Sequence, residues 1–274
     1  MKIAQNTKQS VLEIDLTGPE SAIDPYPLYN QVRAHDPVHW NKSDDNWYIT
    51  CYKDLMSLLT DNRLSAKRIQ AKTRSLSEDE HEKVSLFTDV ISSWMLESDP
   101  PSHTRIRSLV NKAFTPHMIE IMRIRIQTLV DRMLDEVQGN GRMDVMTDLA
   151  IPLPGIVISD MLGVPEEDHH QFKNWSTDIA LSVAGSDTVG SLVERLEMGQ
   201  TSFLELFDYF KGLIDDPRRN LQGTVLNALV EAEKAGDKLT ERELVANCVL
   251  LMFAGHEATD NLIGNGILAL LEHP

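Results

Sequence analysis

TERELVANCVLLMFAGHEATDNLIGNGILALLEH, residues 240–273, is the stretch that decides the fold. Thr240 and Glu243 stand at the S/T-x-x-E spacing of a capping box, which predicts a helix start there. A run on to His273 would be about 50 Å long at a rise of 1.5 Å per residue. From Leu244 to Gly255 there is no charged side chain, so the helix is apolar on every face and is expected to cross a core. Ala254-Gly255-His256-Glu257-Ala258-Thr259 then places polar groups in the middle of that rod.

A glycine in a helix interior costs about 1 kcal/mol relative to alanine, and a buried carboxylate costs more unless it is paired or protonated. Two readings of the residues stay open. In one, Ala254 and Gly255 remove side-chain bulk so that a flat ligand or a diatomic can approach the backbone, while Glu257, with a raised pKa, relays protons. In the other, Gly255 marks a helix crossing and Glu257 reaches solvent at a groove. A third chemistry starts from His256-Glu257, since HExxH on a helix holds zinc between two histidines; here the fifth residue is Asp260, and no third ligand is evident.

Working outward, helical periodicity with Gly, Pro and Asp/Asn breakers predicts helices over Pro101–Phe114, Met118–Val137, Thr147–Leu162, Glu166–Leu181, Leu192–Ile214 and Leu221–Lys234. Nearer the start, Pro25–Ala34 and Lys53–Leu59 read as short helices. VHW and WYITC around the turn NKSDDN read as a small antiparallel hairpin. The segment Ser65–Ser93 is polar, Ser-rich and charged without a sustained period, and reads as a long mobile connection. The expected fold is mainly α with a small β element near the N-terminus, in one continuous domain.

The bulk composition narrows the function. Lys plus Arg number 26 against 42 Asp plus Glu, a formal net charge of −16, which argues against nucleic acid and anionic membranes as partners. A small molecule or a basic patch on a protein fits better. Cys51 and Cys248 lie in apolar surroundings without CxxC spacing, which fits a reducing compartment. The start MKIAQNTKQSVLEIDL lacks the apolar stretch of a secretory signal, and the longest uncharged apolar run falls far short of the ~18 residues that span a bilayer. A cytoplasmic, unanchored protein is expected.

Three ordered motifs now carry a resemblance. AGHEAT at 254–259 resembles the oxygen-binding helix of cytochromes P450, where an Ala/Gly-Gly pair is followed by any residue, an acid and usually threonine. Asp99-Pro100-Pro101-Ser102-His103-Thr104-Arg105-Ile106-Arg107 resembles the family's DPPxHxxxR segment, and Pro152-Leu153-Pro154 through Leu162-Gly163-Val164-Pro165 is similar to its PLP…LGVP stretch. The likeness runs from about Pro25 to Pro274 and is to the soluble bacterial members that modify polyketides and macrolides.

The resemblance implies a haem b cofactor, dioxygen and a small apolar substrate. It implies that His103 and Arg107 contact the haem propionates and that oxygen sits over Ala254 and Gly255. Electrons would come from NAD(P)H through a ferredoxin- or flavodoxin-like donor received by the Pro101–Phe114 helix. That helix has no acid and carries Arg105, Arg107 and Lys112. The loop Ser65–Ser93 and the helices between Glu166 and Ile214 would shape the substrate cavity.

Two departures matter. Where the family usually has threonine after the acid, this chain has Ala258. The missing hydroxyl could come from Thr259, one residue on and about 100° around the helix, from an ordered water held by Glu257, or from the substrate itself. Secondly, the family has two later elements, a helix with an ExxR pair and a Phe-x-x-Gly-x-x-x-Cys-x-Gly loop whose thiolate holds iron, and neither follows here. Cys51 in YITCYKD and Cys248 in VANCVLL do not resemble that loop and read as small buried hydrophobes.

The expectation is therefore that residues 1–274 form an incomplete cytochrome P450 domain, the amino-terminal two-thirds, ending after the oxygen-binding helix at about 241–273. Alone it would be inactive and poorly soluble, with monooxygenase activity belonging to the parent protein. The competing expectation is a non-catalytic helical remnant that binds an apolar ligand or a protein partner.

Overall fold

The computed structural model describes residues 14–184, 190–216, 221–234 and 239–273. By its internal contacts the chain groups into two compact units, Met1–Ser65 and Ala66–Pro274.

In the first unit, α1 (Pro19–Ile23) and α2 (Tyr26–His35) precede the hairpin of β1 (Val38–Asn41) and β2 (Asn46–Ile49), and α3 (Tyr52–Leu58) follows. The strands pair antiparallel in the register Val38↔Ile49, His39↔Tyr48, Trp40↔Trp47 and Asn41↔Asn46. The indole rings of Trp40 and Trp47 stand 5.1 Å apart across that ladder, a cross-strand pair of the kind that sets register. The hairpin expected from VHW and WYITC is present, with the two asparagines of the turn sequence belonging to the strands.

Asp15 anchors this turn. Its Oδ1 accepts from the Ser43 hydroxyl at 2.6 Å, the Thr17 hydroxyl at 2.7 Å and the Thr17 backbone N–H at 2.9 Å. These bonds, led by those of Ser43 and Thr17, hold its carboxyl at about 2, below the ordinary value of 3.8. The unfolded chain therefore binds the proton more readily, so the stabilisation is complete above the unfolded value and is lost as pH falls from about 4 towards 2. A series of unfolding midpoints between pH 5 and pH 3 should fall less steeply for Asp15→Asn than for the unaltered protein.

The second unit is helical: α4 (Arg68–Lys72), α5 (Glu78–Ile91), α6 (Ser102–Ala113), α7 (Pro116–Gln138), α8 (Pro152–Leu162), α9 (His169–Ala184), α10 (Leu192–Asp215), α11 (Val225–Lys234) and α12 (Glu241–Glu272). A π-helical turn, Met146–Ala150, leads into α8. The mainly α class expected from the sequence is the fold observed.

The mobile connection expected over Ser65–Ser93 is corrected by α4 and α5. Ser77 and Glu80 close a capping box at the start of α5, and Val84, Phe87 and Ile91 form a fully buried stripe at i, i+3 and i+7. The polar residues that suggested a loop occupy the outer face. The inner face is held by α10, where the Gln200 amide accepts from the N–H of Phe87 at 3.3 Å and donates to the carbonyl of Lys83 at 3.2 Å.

α9 and the turn before it are joined to α10 by Trp175 Nε1 donating to Glu205 at 2.6 Å, Ser202 donating to Asp178 at 2.6 Å and Tyr209 donating to Asp168 at 2.8 Å. Gly199 sits at their crossing, where an added Cβ would lie 2.5 Å from Cε1 of Phe87 and against the Ser182 hydroxyl, so only glycine fits. α8 ends on Gly163 with φ of 77° and the paired bonds of a Schellman turn, Gly163 N–H to Asp160 O and Val164 N–H to Ser159 O. That geometry accounts for the glycine of the Leu162-Gly163-Val164-Pro165 motif.

Candidate functional site

α12 begins as its sequence requires, with Thr240 and Glu243 closing the capping box. From Leu244 to Leu250 every residue is buried, and Met252 is buried too. Beyond that point the expected all-round burial is corrected. Gly255, His256, Thr259 and Asp260 are half-buried, while Ala254, Ala258, Asn261 and Leu262 are exposed. The helix has a back face and an open face.

The back face lies on α8 and the π-turn. A Cβ on Gly255 would sit 3.4 Å from Ile158. His256 Nε2 lies 3.3 Å from the Ile151 carbonyl and 3.4 Å from Asp260 Oδ2. Ile263 joins the small core around Leu153, and Gly264 abuts the Met146 sulfur. Residues two positions either side of His256 lie about 160° around the helix from it, which puts Ala254 and Ala258 on the open face. The side chains of Ala254 and Ala258 present single methyl groups there.

Thr259 is on the back-facing side, and its hydroxyl donates to the Gly255 carbonyl at 3.0 Å. The side chain of Glu257 lies outside the described residues. Among the described residues no group of three or more His, Cys, Asp or Glu is placed to hold a metal ion.

α6 carries the second half of the site. His103 and Arg107, one turn apart, border a surface groove of about 490 Å³ whose other lining residues are Thr104, Ser108, Asn111 and Lys112. No carboxylate lines it, and among the described residues neither the His103 nor the Arg107 side chain has a hydrogen bond or ion pair. A donor-rich groove in which the Arg107 guanidinium and the His103 ring are unengaged fits a dicarboxylate group such as the propionates of haem.

The uniformly basic docking helix expected from Arg105, Arg107 and Lys112 is corrected at one position. Arg105 turns to α12, its Nη2 2.5 Å from Glu243 Oε1 and its Nη1 3.3 Å from Oε2. Burial raises the Glu243 carboxyl, but the hydrogen bonds from Arg105 and Thr240 outweigh it and leave it below its ordinary value. This ion pair fixes α6 against the first turn of α12.

Asn247 supplies a second tie that the sequence reading did not single out. It is 1% exposed. Its Nδ2 donates to the Ser93 carbonyl at 3.0 Å and its Oδ1 accepts from the Met95 N–H at 3.0 Å. Between these bonds the ring of Trp94 stacks on Phe253 at 6.1 Å. An amide inside an otherwise apolar helix was the available signal, since a buried polar group needs partners.

Cys248 is wholly buried, and burial pushes its thiol up to about 12; it cannot act as a thiolate at neutral pH. Cys51 is half-buried at the start of α3. Among the described residues no helix is long and apolar enough to cross a membrane.

Comparison with known proteins identifies the family of the chain. Residues 57–274 match the family model for cytochrome P450. The chain is 37% identical over 270 residues to the cytochrome P450 monooxygenase PikC of Streptomyces venezuelae, covering 96% of this chain and 60% of the relative. It is 36% identical over 268 residues to the polyketide biosynthesis cytochrome P450 PksS of Bacillus subtilis, covering 93% and 62%. A solved structure of P450BioI in complex with a hexadec-9Z-enoic acid ligated acyl carrier protein superimposes with a TM-score of 0.80 at 34% identity, covering 93% of this chain and 64% of that one. The chain thus spans less than two thirds of the length of these relatives.

Proposed function

We propose, from the premise that this chain belongs to the cytochrome P450 family, that it forms the distal part of a haem-thiolate monooxygenase acting on a largely apolar, polyketide-type natural product. The observation that carries the reading is the open face of α12, where Ala254 and Ala258 leave room beside a helix otherwise walled by α8 and the core. The polyketide class is suggested by the named role of PksS. The activity is assigned to a protein of the relatives' full length, and the thiolate to a cysteine other than the inert Cys248.

Haem b ligated by thiolate would supply dioxygen activation and insertion of one oxygen atom into the substrate. This chain's residues would do the rest. His103 and Arg107 would donate to the propionates and so help to hold the group. Ala254, on the open face, would admit the ring and the diatomic, Gly255 would let α12 lie close against Ile158 of α8, and Glu257 would carry protons inward from solvent. An acidic ferredoxin- or flavodoxin-like protein is the proposed electron donor, docking beside the carboxylate-free surface of α6.

Ala258 leaves the usual hydroxyl position empty of a donor, and the Thr259 hydroxyl donates to Gly255 on the other side of the helix. The proposed replacement is a hydroxyl carried by the substrate near its reacting carbon. Removing that hydroxyl should lower product formed per electron pair by on the order of tenfold, the worth of one hydrogen bond at ~1.4 kcal/mol. Ala258→Thr should restore much of the loss. Equal coupling of the deoxy analogue by the unaltered enzyme would sink the proposal.

A further inference from the structure

His256 is the one residue of the Ala254–Thr259 motif whose side chain is placed against another element and yet has no part in the function proposed above. Its side chain is 12% exposed and that of Asp260 is 14% exposed. The ring packs over Gly155, which an added Cβ would bring to 3.5 Å from Nε2. Both neighbours of Nε2, the Ile151 carbonyl at 3.3 Å and the Asp260 carboxylate at 3.4 Å, are hydrogen-bond acceptors. The tautomer that bonds the Ile151 carbonyl carries the proton on Nε2, with the Asp260 carboxylate beside it.

The need for such a bond follows from what surrounds it. The turn 254–258 is open on one face, contains Gly255 and lends the Gly255 carbonyl to the Thr259 hydroxyl, so its own ladder holds it weakly. Before it, Phe253 is fixed by stacking on Trp94. After it, Gly264 is fixed by close approach to Met146. Between those points His256 makes a polar contact from this turn to the start of α8, at the carbonyl where the π-turn meets Pro152.

We propose that His256, oriented by Asp260, is a positioning residue: its bond to the Ile151 carbonyl sets the rotation of α12 that turns Ala254 and Ala258 to the open face. It thereby links the AGHEAT motif to the Pro152-Leu153-Pro154 motif. The catalytic consequence rests on the monooxygenase reading; the latch itself does not.

Hydrogen exchange of this chain, followed by mass spectrometry, tests the latch without cofactor or substrate. His256→Phe keeps the ring and loses the N–H, whereas His256→Gln keeps a donor. The first should speed exchange of the amides in 254–260 by about tenfold, the worth of one hydrogen bond, and the second should bring it back towards the unaltered rate. Asp260→Asn gives an independent reading should His256→Phe fail to fold, with an intermediate acceleration expected.

Unchanged exchange in 254–260 for the variants overturns the proposal. In the haem-loaded enzyme, His256→Phe should also raise the share of electrons lost to hydrogen peroxide, with substrate affinity little altered. Faster exchange with undiminished coupling overturns the positioning role. Absence of turnover by the unaltered enzyme overturns the monooxygenase reading, and the exchange result still decides the latch.

Discussion

Asn247→Ala is expected to lower the free energy of unfolding by about 2 kcal/mol, because it strands two half-buried backbone groups at a cost towards the low end of roughly 1–3 kcal/mol each. The Met95 N–H and the Ser93 carbonyl both bond to the Asn247 amide, and neither gains another partner when that amide is removed. Trp94 and Cys248 beside this site are fully buried, which limits how well water can replace the amide. Urea denaturation of the two proteins measures the difference directly. A loss below about 1 kcal/mol would mean that the tie between α12 and the segment before α6 is dispensable.

His103→Ala combined with Arg107→Ala should lower haem retention by at least a hundredfold, since hydrogen bonds to charged groups contribute about 1.5–3 kcal/mol each. The expectation comes from two side chains without polar partners among the described residues, on one face of α6, in a groove without carboxylates. Transfer of haem to an excess of an acceptor apoprotein reads the loss as a rate. Arg105→Ala is the informative contrast. Arg105 pairs with Glu243, so its removal should loosen α6 from α12 and reduce stability while leaving retention closer to normal. Equal retention in the double variant and the unaltered protein would remove α6 from the cofactor site.

The sequence revealed most where a local rule and a tertiary demand coincide. Thr240 and Glu243 announce the start of α12 because the capping box is a contact between near neighbours. Gly163 announces the end of α8 because a positive φ of 77° suits glycine and few other residues. α5 escaped because its buried stripe of Val84, Phe87 and Ile91 is diluted by charged residues, so composition outweighed period.

The two faces of α12 escaped for another reason. An apolar run shows that a helix avoids water, but which side is covered depends on where α8 lies, and that is tertiary information. Arg105 illustrates the same limit. Nothing local distinguishes it from Arg107, yet one pairs with Glu243 and the other borders the groove. The site motifs were legible as residue types, whereas their partners were not.

The proposed function makes these helices the distal part of a haem-thiolate enzyme. The reduced, carbon-monoxide-bound spectrum of the protein purified from its native source tests it most directly, because axial thiolate shifts the main haem band to the red of that given by a histidine ligand. Bound haem with the red-shifted band is the expected result. A preparation without haem, or with an unshifted band, would contradict it.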